Sequence, residues 1–329
     1  MTDYDIVGIG NAIVDVIAPA PETFLGQMGI TKGIMQLVER DRAELLYAAM
    51  SERTETPGGS VANTLAGAGS LGAMTAFVGR VADDPLGRFY AEALNEGGTN
   101  FVNPPVAGAE LPTSRSMIFV SPDGERSMNT YLGESTFLDE SDVPEDVVGR
   151  ARYLFLEGYL FDKDRNKAAF LKAARLCREG GGAPGIALSD PFCVDRHRAD
   201  FRRLVREEMA WVIGNRDEWC SLYEVEDIEA ALEMASDDCD LVACTRSAEG
   251  VTVIQDGDRV DVPVEAITPV DATGAGDQFA AGFLYGLSTG RDTQTCAKMG
   301  CVAAAEVISH IGPRPEADLT ELFADAGLL

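Results

Sequence analysis

Apolar residues along this chain fall into two alternating patterns. Short continuous runs at 6–9, 75–78, 153–156, 185–188, 211–213, 241–244 and 250–255 predict buried strands. Between them, apolar residues recur at three- and four-residue spacing and predict helices over 62–70, 85–95, 166–179 and 299–308. The 85–95 helix carries its own start signal in Asp83-Asp84-Pro85, a capping carboxylate ahead of a first-turn proline. A further apolar stretch, 262–270, arrives in extended style before a run of small residues. Alternation of strand and helix over this length predicts an α/β fold, a mostly parallel sheet with helices on both faces. One region breaks the series. Residues 116–120 and 127–131 read as a β-hairpin around the turn-forming 121–126, and 32–39 as a short extra strand. They predict a small β layer projecting from a single domain of residues 1–329.

Composition narrows the function. Apolar residues make up 46% of the 329, which is ordinary for a globular protein, and no run is long enough to span a bilayer. The start, Met1-Thr-Asp-Tyr-Asp5, has no basic region ahead of an apolar core, so no secretory signal is expected. Acidic side chains outnumber basic ones 54 to 27, a surface that repels nucleic acid and anionic membrane. Distant charge of this kind does not forbid a nucleotide in a cleft with its own local donors. The seven cysteines include no Cys-x-x-Cys pair, and only two histidines accompany them, so zinc is not expected. An odd cysteine count without a leader fits reduced thiols in a cytoplasm.

Candidate chemistry concentrates in Val270-Asp271-Ala272-Thr273-Gly274-Ala275-Gly276-Asp277. A glycine turn there precedes a helical pattern with Phe279, Ala280, Phe283, Leu284 and Leu287 on one face. Free N–H groups and the positive end of a helix dipole converge at such a point and suit a phosphate. Gly274 and Gly276 allow close backbone approach. Asp277 would repel a phosphate unless it takes a proton from an attacking hydroxyl. A lone aspartate would read as a first-turn stabiliser; the whole run points to chemistry.

This run resembles the C-terminal signature of the PfkB (ribokinase-like) carbohydrate and nucleoside kinases, with Ala272 where many members have Thr. The resemblance implies that Asp277 is the catalytic base, and that the Gly274, Ala275 and Gly276 amides form an anion hole. It also implies that the β layer is a lid over the substrate, built from residues 12–18, 32–39 and 103–132.

Other segments extend the likeness in family order. Gly8-Ile-Gly10-Asn11-Ala-Ile13-Val-Asp15 lacks the third glycine of a dinucleotide fingerprint, because Ile13 stands in its place. Asn11 and Asp15 read instead as polar groups at a strand end, where a carboxylate accepts two hydroxyl hydrogen bonds well. The start is similar to that of adenosine-kinase-like members, in which the aspartate holds the ribose hydroxyls. Thr56-Pro-Gly58-Gly59-Ser60-Val-Ala-Asn63 opens a helix and resembles the first PfkB signature, so Gly58, Gly59 and Asn63 are expected at the acceptor sugar. Asn215-Arg-Asp-Glu218 after a strand resembles the family's Asn-x-x-Glu, which organises Mg²⁺ and phosphates; Glu218 is the expected Mg²⁺ residue, acting through water. Thr245 and Gly250 flank a turn like the one ahead of the family's ATP site, with Ser247 replacing its middle glycine. Arg126, in the hairpin, resembles a lid arginine placed over the transferring phosphoryl. Phe119, Tyr131, Phe137, Tyr159 and Phe161 flank the expected substrate side and are candidates for stacking on a base.

Together these readings imply an ATP- and Mg²⁺-dependent kinase, with a monovalent cation such as K⁺ near Asp271 and Thr273. Its acceptor is a small nucleoside, adenosine first, with a sugar such as ribose or fructose, or inosine or guanosine, as alternatives. Nucleic acid and membrane are not expected partners, and both monomer and homodimer remain open.

Overall fold

The computed structural model describes residues 3–265 and 267–329. Among them, fourteen strands form two sheets. The main sheet has nine: β1 (Tyr4–Ile9), β5 (Thr75–Val78), β6 (Thr99–Phe101), β9 (Ala151–Glu157), β10 (Ala183–Ala187), β11 (Trp211–Asn215), β12 (Leu241–Thr245), β13 (Val251–Gln255) and β14 (Asp258–Val262). The second sheet has five: β2 (Ile13–Pro19), β3 (Met35–Leu37), β4 (Thr54–Gly58), β7 (Ser114–Val120) and β8 (Arg126–Tyr131).

The main sheet runs β14-β13-β12-β11-β10-β9-β1-β5-β6, parallel from β6 through to β12. The predicted α/β architecture is therefore observed. Its strands read as continuous apolar runs because both faces are covered. Ile6, Phe77, Phe155, Trp211 and Ile213 enter the core on one face. Val7, Val78, Leu154, Leu156 and Val212 enter the other. The period-two alternation of a strand thus feeds two cores at once.

From β1 the chain order runs outward both ways, to β5 and β6 on one side and from β9 onward on the other. The order reverses at the β1–β9 pair. In open α/β sheets such a reversal leaves a crevice at the carboxyl ends of the strands.

Two helices meet closely above that crevice, Ser60–Ser70 and Ala275–Ser288. The first is built of small residues for a reason. A Cβ placed on Gly67 would lie 2.9 Å from the Cβ of Ala281, so the helices are already at contact. That approach carries the first turn of one helix to the first turn of the other.

The extended stretch expected at 262–270 needs correction. Only Val262 lies in a strand, as the last residue of β14. Residues 263–265 and 267–270 carry no strand, and Ala266 lies outside the described residues. Pro263 and Pro269 remove two backbone donors a ladder would need. The sheet is extended instead by an antiparallel hairpin, β13–β14, turning at Asp256-Gly257.

The hairpin read at 116–131 is present as β7–β8, and the short strand near 32–39 shrinks to β3. β4, a fifth strand, was not expected, because Thr-Glu-Thr-Pro-Gly reads as a turn. It occupies an edge, where a proline's missing donor is tolerated. Residues 103–113, expected in the β layer, contribute no strand to the second sheet; Val106 bridges Ala82 instead.

Candidate active site

A cavity of about 700 Å³ opens at the reversal point, between the two sheets. The carboxyl ends of β9, β11 and β12 supply Glu157, Asn215 and Thr245 to its wall, and Asn11 stands two residues past the end of β1. From above come Asp15, Gly59 and Ser60, and from the side the turn Ala272 to Asp277. Ten of the site residues expected from the sequence are thereby brought together: Asn11, Asp15, Gly59, Asn215, Glu218, Thr245, Gly274, Ala275, Gly276 and Asp277.

Gly274 caps the Ala275–Ser288 helix with φ +83°, and Gly59 caps the Ser60–Ser70 helix with φ +96°. Both are left-handed conformations that favour glycine. Neither cap has a side chain to offer the orphan amides. Among the described residues no protein group accepts from the Gly276 or Asp277 N–H. The turn therefore holds two unspent donors at the positive end of a fourteen-residue helix, whereas the Ala275 N–H, expected to join them, donates to the Ala272 carbonyl at 3.3 Å.

Asp277 sits on the first turn of that helix with both carboxylate oxygens held. Ser60 Oγ donates to Oδ1 at 2.6 Å, and Asn63 Nδ2 donates to Oδ2 at 3.0 Å. Burial raises its pKa, opposed by those two bonds and by the charge of Arg314. Such a carboxylate is an acceptor aimed into the cleft and primed for a proton. Asp15 is pushed up to about 6, by burial first, while Arg126 and Arg314 pull it down. Gly58 passes close beneath it: a Cβ there would fall 2.5 Å from the Asp15 carboxyl carbon.

Several expectations resolve differently in three dimensions. Asn63 stands behind the cleft wall and holds Asp277, and Gly58 likewise lies behind Asp15. Asn215 and Glu218 form a reciprocal helix cap. The Asn215 N–H and Nδ2 donate to the Glu218 carboxylate at 2.8 and 2.7 Å, and the Glu218 N–H donates to Asn215 Oδ1 at 2.9 Å. Glu218 still lines the cleft, and burial pushes it up to about 7. Both its oxygens are engaged, so it suits holding a metal's water rather than the metal. Gly250 is not at the cleft. Its φ of +91° and its contact with the Val262 carbonyl make it a turn residue between β12 and β13.

Arg126 does not face the cleft either. Its Nη1 donates to Asp271 Oδ2 at 3.0 Å, tying the second sheet to the glycine turn. The same carboxylate accepts from the N–H groups of Thr273 and Gly312 at 2.9 and 3.1 Å. A monovalent cation at Asp271 would have to share that carboxylate with the guanidinium, so these residues do not fit one as arranged. Of the aromatic candidates, only Tyr159 lines the cleft. Phe119 packs on Phe24, Phe161 packs on Phe201, Tyr131 is buried, and Arg165 covers Phe137.

Sequence reasoning missed three residues. Ser60 was given no role at the site, although it lies inside a quoted motif. Glu157 ends an apolar strand; its carboxylate accepts from the Asn11 N–H and Nδ2 at 3.3 and 2.7 Å and from the Val61 N–H at 3.2 Å. Burial pushes it up to about 7. A lone glutamate closing an apolar run was the available signal. Arg314 offered none beyond its place between two prolines.

The comparisons agree with this geometry. A pfkB family carbohydrate kinase description matches residues 29–319. Among solved structures, an adenosine kinase from Sinorhizobium meliloti is 46% identical with a TM-score of 0.89, covering 98% of this chain and 99% of that one. A probable sugar kinase from Rhizobium etli is 44% identical with a TM-score of 0.91, covering 100% of both. A 5-dehydro-2-deoxygluconokinase from Bacillus licheniformis is 27% identical over 316 residues, covering 93% of this chain and 90% of that protein. Fold, cleft and relatives converge: the chain belongs to the PfkB family of carbohydrate kinases and is a phosphotransferase with an alcohol acceptor.

Proposed function

We propose that this kinase transfers the γ-phosphoryl group of ATP to the 5′-hydroxyl of a nucleoside, with adenosine as first candidate. The observation that carries this reading is the second sheet's wall of the cleft. Register places Leu37, Thr130, Ser116 and Asp15 in one row across β3, β8, β7 and β2. The inner end of the row is polar, with Ser116 and Thr130 beside the Asp15 carboxylate. The outer end is apolar. Met35 and Leu37, 47% and 60% exposed, line the cleft with Met128. A ribose at Asp15 would leave a base against that apolar surface, whereas a free sugar would leave it bare. The adenosine kinase likeness at 46% identity supports the same choice.

In this reading the second sheet is the lid, and Asp15 accepts hydrogen bonds from two ribose hydroxyls. Asp277 takes the proton of the attacking hydroxyl, which leaves the new oxygen–phosphorus bond to form as ADP departs. The Gly276 and Asp277 amides, which have no competing protein partner among the described residues, receive the transferring phosphoryl. Asn215, Glu218 and Thr245 face the nucleotide side, where Glu218 would hold a water of Mg²⁺. Bound Mg²⁺ neutralises phosphate charge, a need sharpened by six carboxylates lining the cleft.

A free-sugar acceptor is the second reading, supported by the name of the Bacillus relative. The test is ADP release from Mg·ATP with adenosine, inosine, guanosine, ribose and fructose offered separately. Turnover with adenosine that vanishes in Asp277→Asn supports the proposal. Turnover with a free sugar alone overturns the nucleoside assignment and leaves the family chemistry intact.

A further inference from the structure

Arg314 belongs to no motif in the chain, yet its guanidinium reaches the centre of the site. Nη2 donates to the Pro57 carbonyl at 2.8 Å, and Nε donates to Asn63 Oδ1 at 3.3 Å. With its oxygen so engaged, the Asn63 amide presents Nδ2 to Asp277 Oδ2 at 3.0 Å. The orientation of the amide is thus set by the arginine. The backbone around Arg314 is itself anchored. Gly312 N–H donates to Asp271, and Gln278 Nε2 donates to the Pro313 carbonyl at 2.9 Å. Glu306 Oε1 accepts from the N–H groups of Glu316 and Ala317 at 2.9 and 2.8 Å.

We propose that Arg314 is a positioning residue for phosphoryl transfer, aiming the Asn63 amide at Asp277 and supplying the cation that Asp15 and Asp277 share. The proposal rests on the base role given to Asp277 above.

The charges around Asp277 make the case. Ser60 and Asn63 face it from one helix as neutral donors. Asp15 approaches from β2, Glu157 from the end of β9, and Tyr159 lies beyond Glu157; each feels the Asp277 charge unfavourably. Arg126 acts on Asp15, but its Nη1 is spent on Asp271. Arg196, on the cleft wall, is bound to Asp162 at 3.2 Å. Arg314 is the cation whose field lowers both Asp15 and Asp277 against burial, and Tyr90 is the further titratable group that acts on it. A protonated Asp277 cannot accept a proton, and the charge of Arg314 adds to the Ser60 and Asn63 hydrogen bonds that favour its ionised form. Arginine meets both requirements because its planar fork donates in two fixed directions while remaining charged. Lysine would restore the charge without restoring the fork.

The experiment uses Arg314→Gln and Arg314→Lys in the full chain, with folding checked by thermal denaturation. Carbon-13 NMR of the aspartate carboxyls follows Asp277, whose resonance is assigned by its loss in Asp277→Asn. In Arg314→Gln the Asp277 midpoint is expected to rise by about one pH unit, and in Arg314→Lys to return towards the wild type. With Mg·ATP and adenosine, the acid limb of kcat should move upward in Arg314→Gln, lowering turnover about tenfold on that limb. Arg314→Lys should recover the limb and keep a reduced kcat. An unshifted midpoint in a folded Arg314→Gln overturns the proposal, and so does a kcat profile identical to the wild type. A shifted midpoint alongside a wild-type protein that does not turn over adenosine supports the hold of Arg314 on Asp277 and refutes adenosine as the acceptor instead.

Discussion

The base role proposed for Asp277 is compatible with its side-chain partners, which are donors only. Ser60 and Asn63 each give it a proton-bearing atom, and each carboxylate oxygen, at the lining of the cleft, keeps acceptor capacity to spare. Asp277→Asn sets an amide N–H₂ against one of these donors and removes the basic site. Turnover should fall by about a thousandfold while acceptor KM changes little, a split that steady-state kinetics reads directly. Ser60→Ala should be milder, about tenfold in kcat, since one charge-assisted bond is lost and the carboxylate becomes harder to ionise. Asp277 was legible in the sequence because the Gly274-Ala275-Gly276 turn stands beside it in the chain, although its hydrogen-bond partners Ser60 and Asn63 lie 217 and 214 residues away. Glu157 and Arg314 were not, since no local run of residues marks them and their partners too are distant: Glu157 meets Val61 across 96 residues, and Arg314 meets Asn63 across 251.

Two helix starts facing each other form the core of the site, and both depend on a glycine at positive φ. At Gly274 a Cβ would lie 2.6 Å from the Pro313 Cα, on top of the conformational strain. Gly274→Ala is therefore expected to cost about 2 kcal/mol of stability and to lower kcat more than tenfold. Denaturation midpoints and ADP release test the two parts separately. The outer lid strand makes a different prediction. Met35→Ser with Leu37→Ser should raise KM for adenosine about tenfold and leave KM for ATP near its starting value, because only the outer acceptor wall loses apolar area. At this scale the sequence was read well where a pattern was local, as in the β7–β8 hairpin and the glycine-turn helix. It was misread where prolines and turn residues dominate, as at β4 and 262–270, because the sheet partners that stabilise or forbid a strand are not written nearby.

Taken whole, the molecule carries buried carboxylates whose ionisation opposes folding. Asp15, Glu157 and Glu218 are pushed up to about 6, 7 and 7 from ordinary values of 3.8 and 4.5. Each folded value exceeds the unfolded one, so the folded state binds these protons more tightly. The contribution is fully present below the ordinary carboxylate range and is lost as pH rises through 6 to 7. At lower pH the opposite case enters: Arg259 and Arg246 hold Glu229 down at about 2, a contribution lost as pH falls through that value. The melting temperature should therefore be highest in mildly acidic solution, exceeding its value in mildly alkaline solution by about 3 °C. Calorimetry at high salt isolates this effect from the general repulsion of a chain with net charge −27. A maximum on the alkaline side would contradict it.

The two sheets share one cleft but are assembled from different stretches of chain, and their tasks divide along the same line. In the proposed reading the main sheet and its glycine turn set what is done to the acceptor, and the five-stranded sheet sets which acceptor is admitted. Inheritance can then act on each separately: drift in the outer strands readdresses the enzyme, whereas drift at the turn silences it. One chain plan bearing both adenosine kinase and deoxygluconokinase names among its relatives is the lineage such a division would leave.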